Sequence, residues 1–269
     1  MFKFLIGKRQ QPMTIHTSLM AEQSPALRSL VSGSMAEAQT GTAIWEEVDE
    51  DTFARFTQFM YTGDYPPPSH DTIIYSPAVT HNDADIEERT SPPAEPAQDL
   101  DWGSGSFTTS KKEKKKRPQI VERVQFHDMV YKVPHLSNFK DMYKIRPNES
   151  STEDYTPVFV GHAQLYVLAE IWDIKPLKAL VLSKLHATLC EYKPYEARYG
   201  DVVELIRYTY EHTPCRKRMD PLRGLVTQYV AHEQTQIAGS EPCLELIESG
   251  GPFARDLVSM LLEKIRTVN

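Results

Sequence analysis

MTIHTSLMAEQSPALRSLV, from Met13 to Val31, changes period twice within one short stretch. Met13 and Ile15 alternate with Thr14 and His16, the two-residue repeat of a half-buried strand. Past His16, Thr17 or Ser18 can cap a helix through the Leu19 region, and Ser24-Pro25 restarts a second one. In that second helix Ala26, Leu27, Leu30 and Val31 are predicted to face inward, and Gly33 stops it. Upstream, Phe2, Phe4 and Ile6 alternate with Lys3 and Leu5, so two strands flank the turn GKRQQP as a hairpin.

Downstream, Thr42 to Trp45 reads as a further strand and DEDTFARFTQFMYTGDY as a helix. Asp49 or Asp51 is its expected cap, Phe53, Phe56, Phe59 and Met60 its apolar stripe, and Gly63 its end. The carboxylates of EEVDED, Glu46 to Asp51, fit strand-exit and helix-capping charge that the helix dipole favours.

Residues 66–157 differ in character. PPPSHDT, SPPAEPAQD and GSGS are rich in breakers, and few apolar residues recur at either period, so the segment is expected to be largely disordered. Its charge is blocky, with Asp83, Asp85, Glu87 and Glu88 followed by KKEKKKR. A less polar part, Ile120 to Tyr143, includes Phe126, Val130 and Tyr131 and is expected to dock back weakly.

The remainder reads as helical. HAQLYVLAEIW puts Leu165, Leu168, Ala169 and Trp172 on one face, and KPLKALVLSKLHATL does the same with Leu177, Leu180, Val181, Leu185 and Leu189. The two form an antiparallel pair about Asp173-Ile174. Further helices are predicted over Asp201 to Tyr210, from Asp220-Pro221 with Leu222, Leu225, Val226, Tyr229 and Val230 inward, near Ser240 to Ile247, and from Pro252 with Phe253, Leu257, Leu261 and Ile265 inward.

Taken in order, strand-His16-helix, Ser24-Pro25, Phe56 through Tyr61-Thr62-Gly63 and Leu165 through Ala169 resemble the BTB (POZ) domain in the form common among filamentous fungi. YEARYGDVVELIRYTYEHT and GGPFARDL look like the helical extension of those proteins. The resemblance implies an α+β fold, a small β-sheet with a helical cluster followed by an α-helical C-terminal extension. It divides the chain into a first BTB part at 1–65, an insert at 66–157, a closing helix pair at 158–192 and the extension at 193–269. Family members usually have a strand-leading Asp, often preceded by a dimer-forming helix. Met1 occupies about that place, so homodimerisation stays open.

The same resemblance places Met35, Ala36 and Glu37 where cullin-binding members carry an apolar residue, any residue, then Glu. An exposed Met is a flexible apolar plug worth about 1.5–3 kcal/mol when buried in a partner's groove. The implied function is a non-catalytic adaptor joining a cullin scaffold to a ubiquitination target. The alternative is a nuclear regulatory or transcription-related scaffold with no ubiquitin role.

Charge and chemistry narrow the remaining classes. A net charge of −7 argues against a main surface for nucleic acid or membrane. Lys111, Lys112, Lys114, Lys115, Lys116 and Arg117 make a compact run that an import receptor could read, in keeping with a nuclear or cytoplasmic protein. Cys190, Cys215 and Cys243 are widely spaced, fitting reduced thiols rather than a disulfide framework. His16 reads as a hydrogen-bonded structural residue, and His162, His186, His212 and His232 lack ligand spacing. No metal, cofactor or enzymatic nucleophile is expected. The sequon Asn148-Glu149-Ser150 is expected to be silent in an intracellular protein.

Overall fold

The computed structural model describes residues 1–73, 126–133, 143–216 and 218–268. The chain divides into two units, 1–74 with 123–269 and, separately, 75–122; every described residue belongs to the first. That unit is of mixed α+β class. Among the described residues no helix is long and apolar enough to cross a membrane.

The N-terminal hairpin forms β1 (Phe2–Ile6) and β2 (Gln11–Ile15), antiparallel with Phe2 opposite Ile15 and Phe4 opposite Met13. Pro12 lies on β2, an edge strand, where a missing N–H is tolerated. β3 (Thr42–Trp45) pairs parallel to β1, giving the order β2-β1-β3. A parallel partner needs a crossover, and α1 (Thr17–Gln23), α2 (Pro25–Ser32) and α3 (Ala36–Thr40) provide it.

The capping of these helices is partly as read. Ser24 accepts a hydrogen bond from the Leu27 N–H and Pro25 opens α2. Neither Thr17 nor Ser18 caps α1: His16 occupies that place without a side-chain cap bond. Ala26 is exposed, because Leu27, Leu30 and Val31 already fill the inner face of so short a helix.

Asp49 caps α4 (Glu50–Thr62) through the Thr52 N–H at 2.8 Å, and Gly63 ends it in left-handed conformation. Phe53, Phe56, Phe59 and Met60 are all buried. Phe4 meets Trp45 and Phe53 at ring separations of 4.9 and 5.2 Å, so β1, β3 and α4 share one aromatic cluster.

α5 (Thr156–Ile171) returns to this cluster. Most of it is buried, with a half-buried stripe at Val160, Gln164 and Val167 that ends in exposed Ile171. Thr52 Oγ1 reaches Gln164 at 3.3 Å, and the Trp45 and Trp172 rings stack 4.8 Å apart at 15°. α6 (Lys175–Glu191) runs back along α5 after a turn in which Asp173 takes φ +51°. Gly161 is required where Pro68 crosses α5, since a Cβ there would lie 2.8 Å from the Pro68 ring.

The segment expected to be largely disordered supplies several parts of this body. β4 (Asp71–Thr72) pairs antiparallel with β5 (Glu153–Asp154), a 3₁₀ turn spans Phe126–Asp128, and α5 begins two residues before Val158. Phe126 is buried and Tyr131 half-buried, whereas Val130 is 89% exposed. Local breaker content hid these contacts because their partners lie far along the chain.

α7 (Tyr199–His212), α8 (Pro221–His232), α9 (Glu241–Glu248) and α10 (Pro252–Val268) complete the body. Asp220 caps α8 through the Leu222 N–H and also accepts from the Tyr166 hydroxyl of α5 at 3.2 Å. Arg223 is buried and donates to the Tyr210 and Thr213 carbonyls, closing the C-terminal end of α7. On α10, Phe253 and Leu257 are buried, but Ile265 is exposed together with Val258 and Leu262. The predicted inward stripe therefore ends before Ile265.

Candidate functional site

Met35, Ala36 and Glu37 fall together on a short, backbone-pinned element between α2 and β3. α2 ends as the Gly33 N–H donates to Ser29 O at 2.9 Å. A Cβ at residue 33 would lie 2.3 Å from that same oxygen, so the chain can leave α2 in this direction only with glycine. Met35 then holds the extended N-cap position of α3, and the Gln39 N–H donates back to its carbonyl at 3.2 Å. Gln39 Nε2 also reaches Ser34 O at 3.3 Å.

The backbone is locally hydrogen-bonded on both sides of Met35, whose side chain is 53% exposed. Glu37 lies in the first turn of α3, the favourable end of the helix for a carboxylate, and is half-buried; Ala36 is exposed. Ala36 and Glu37 open a five-residue helix closed by Gly41. On the adjoining strand, Ile44 is exposed beside half-buried Leu5, whose other cross-strand neighbour is exposed Pro12. The outer sheet surface therefore also carries apolar side chains.

Lys111, Lys112, Lys114, Lys115, Lys116 and Arg117 lie outside the described residues. His16 is exposed and its Nδ1 lies 2.6 Å from the Tyr61 hydroxyl, tying the start of α1 to α4. Asn148 is fully buried: its Nδ2 donates to Lys193 O at 2.7 Å and its Oδ1 accepts from Lys193 N at 2.6 Å. The sequon asparagine is a backbone clamp.

Three further constellations escaped the sequence reading. His162 is fully buried beside Tyr65, whose carbonyl accepts from Lys184 Nζ at 2.6 Å while Lys184 also pairs with Asp64. Burial first, then the Lys184 and Arg55 charges, push the His162 imidazole down to about 3. Burial likewise lowers Lys184, against the opposing pull of Asp64. A neutral imidazole sealed from solvent suits a structural lock and offers no route to a substrate.

Around Asp201, the Tyr155 N–H, Arg198 and the Thr156 hydroxyl all donate to one buried carboxylate, and Arg198 pairs with Asp154 as well. Burial raises Asp201 and its hydrogen bonds only partly offset this. For Asp154 burial also pushes upward, but bonds from Thr156 and the Arg198 charge outweigh it and the net direction is down.

Finally, Cys215, Arg216, Arg255 and Asp256 line a cavity of about 340 Å³, with Arg255 Nη2 3.7 Å from the Cys215 sulfur. Among the described residues no group of three or more His, Cys, Asp or Glu is placed to hold a metal ion. The links that close these constellations are long-range, Tyr65 to His162 over 97 positions, Tyr155 to Asp201 over 46 and Cys215 to Arg255 over 40, so no local pattern announces them.

No model of a known protein family matches this chain, and no curated protein matches it.

Proposed function

We propose that the chain is a non-catalytic protein-interaction module of BTB/POZ type, and that Met35 and Glu37 form its docking point for a cullin-type scaffold. The observation that carries this reading is the exposed Met35 side chain at the hydrogen-bonded start of α3, with Glu37 two residues on. A flexible apolar plug on a fixed support keeps the ordering cost of binding low, and a neighbouring carboxylate sets register. The order β1, β2, α1, α2, α3, β3, α4 followed by a returning helix pair supports the BTB reading. In this reading the helices from α7 onward, or residues 66–157, present the ubiquitination target.

Met35→Asp tests the reading. It is expected to abolish capture of cullin subunits by the full chain while leaving the thermal melt unchanged. Cullin capture that survives the substitution removes Met35 from the function. Recovery of chromatin or corepressor proteins without any cullin favours a nuclear regulatory scaffold instead. For that alternative, a reporter fused to Ser110–Pro118 should enter the nucleus; a cytoplasmic reporter counts against import by the Lys111 to Arg117 run.

A further inference from the structure

Phe126 begins a described segment, residues 126–133, flanked by 74–125 and 134–142, which lie outside the described residues. Its ring enters a slot between α6 and α8, 4.8 Å from the His186 ring, 5.3 Å from Tyr229 and 5.8 Å from His232, which it faces at 25°. His186 Nε2 donates to the Phe126 carbonyl at 2.7 Å, and the Tyr131 ring lies 5.5 Å from the same imidazole.

The hold is narrow. Phe126 is the one fully buried side chain of the segment, Met129 and Tyr131 are half-buried, and His127, Asp128, Val130 and Lys132 are exposed. Among the described residues the His186 bond is the one hydrogen bond from the body to this segment; its described backbone bonds, Met129 N–H to Phe126 O and Val133 N–H to Tyr131 O, are internal. The fit also leaves a polar atom of the slot unused, because the buried Tyr229 hydroxyl has no hydrogen-bond partner. One buried aromatic anchor, an edge contact of the exposed His127 ring on His232 at 4.9 Å, apolar residues three and five positions on, and a single directional bond describe how a linear peptide docks, rather than how a core strand is built. A segment with so few buried contacts belongs to the low-stability end of a structure.

We propose that the α6–α8 slot is a docking site for an aromatic-anchored linear peptide, and that residues 126–133 are its resident ligand, held reversibly in cis. The inference is independent of the Met35 surface. The resident segment competes at the high effective concentration that a tether confers, so an added peptide meets an occupied site in the wild-type chain.

The probe is a fluorescently labelled peptide FHDMVYKV, titrated into full-length wild type and Phe126→Ala and followed by anisotropy. Phe126→Ala is expected to bind it at least tenfold more tightly than wild type, and AHDMVYKV to bind neither. Phe126→Leu, which keeps a smaller apolar anchor, should fall between. Hydrogen exchange on the wild-type chain should show the 127–133 amides opening at least a hundredfold faster than those of α8. Equal affinity for the two proteins, or no binding to either, overturns the proposal. So does loss of the folded state in Phe126→Ala together with exchange in 127–133 as slow as in α8, which would make Phe126 an ordinary core residue.

Discussion

The Tyr65 hydroxyl lies 2.8 Å from Nδ1 of His162, joining the chain just past α4 to α5 across 97 positions of sequence. Burial raises the Tyr65 phenol well above its usual value, so it keeps its proton. The arrangement that uses this proton has Nδ1 accept it, leaving the ring proton on Nε2, which has no partner. Tyr65→Phe removes the bond and strands both ring nitrogens. We expect a loss of about 1–3 kcal/mol in urea unfolding, the cost of a buried polar group without its partner.

The same histidine sets a pH dependence. Its folded value, about 3, is below the ordinary 6.5, so the unfolded chain takes up the proton first. Its contribution to stability is therefore complete above about pH 6.5 and lost progressively as pH falls toward 3. Over pH 6.5 to 5, His162→Gln should show a shallower fall than wild type, the difference approaching about 1.4 kcal/mol per pH unit. Asp154 is shifted down and Asp201 up, and both are common to wild type and His162→Gln, so the difference between the two proteins isolates the histidine. Denaturant titrations at several pH values check the slope.

Asp201→Ala leaves the Arg198 guanidinium buried with only Asp154 to answer it and removes the acceptor of the Tyr155 N–H. Breaking one member of a buried ion pair costs about 3–5 kcal/mol. Calorimetry should show this as a large drop in Tm, and Asp201→Asn should recover part of it by keeping an acceptor for Tyr155.

Trp45→Ala removes a ring that stacks on Trp172 and packs edge-on against Phe4 and Phe53. Aromatic truncation in a core costs about 3–5 kcal/mol. The loss should be read in chemical denaturation, with near-UV circular dichroism reporting the missing stack.

Gly33→Ala sets a Cβ against the Ser29 carbonyl, a backbone atom with little room to give. A destabilisation of about 1–3 kcal/mol is expected, with a displaced Met35. A variant that melts like wild type would show that the chain can leave α2 by another path.

What the sequence discloses here follows the range of the forces involved. Ser24, Asp49 and Asp220 are legible as caps because each bonds an N–H two or three residues away. The stripes of α4 and α8 are legible because every apolar residue on them meets a core. Ala26 and Ile265 are misread because periodicity names the apolar positions of a helix without saying how much of its face finds a neighbour. Asn148 reads as a sequon, and its role as a clamp on Lys193 depends on a partner 45 residues on. At the candidate site the sequence gives the pattern Met35-Ala36-Glu37, while the glycine exit and the short helix that hold it depend on backbone geometry. Lys111 to Arg117 lie outside the described residues.

Trp45, Phe53 and Tyr65 leave the ribosome well before the helix that covers them. Roughly 90 residues separate Tyr65 from Val158, which at about 5–20 residues per second is a delay on the order of 5–20 s. Throughout that interval the nascent chain lacks the α5 contacts that Tyr65 and Trp45 make in the folded body. Holdase chaperones should therefore be found on ribosome-bound intermediates of this protein, and should leave once α5 has cleared the exit tunnel.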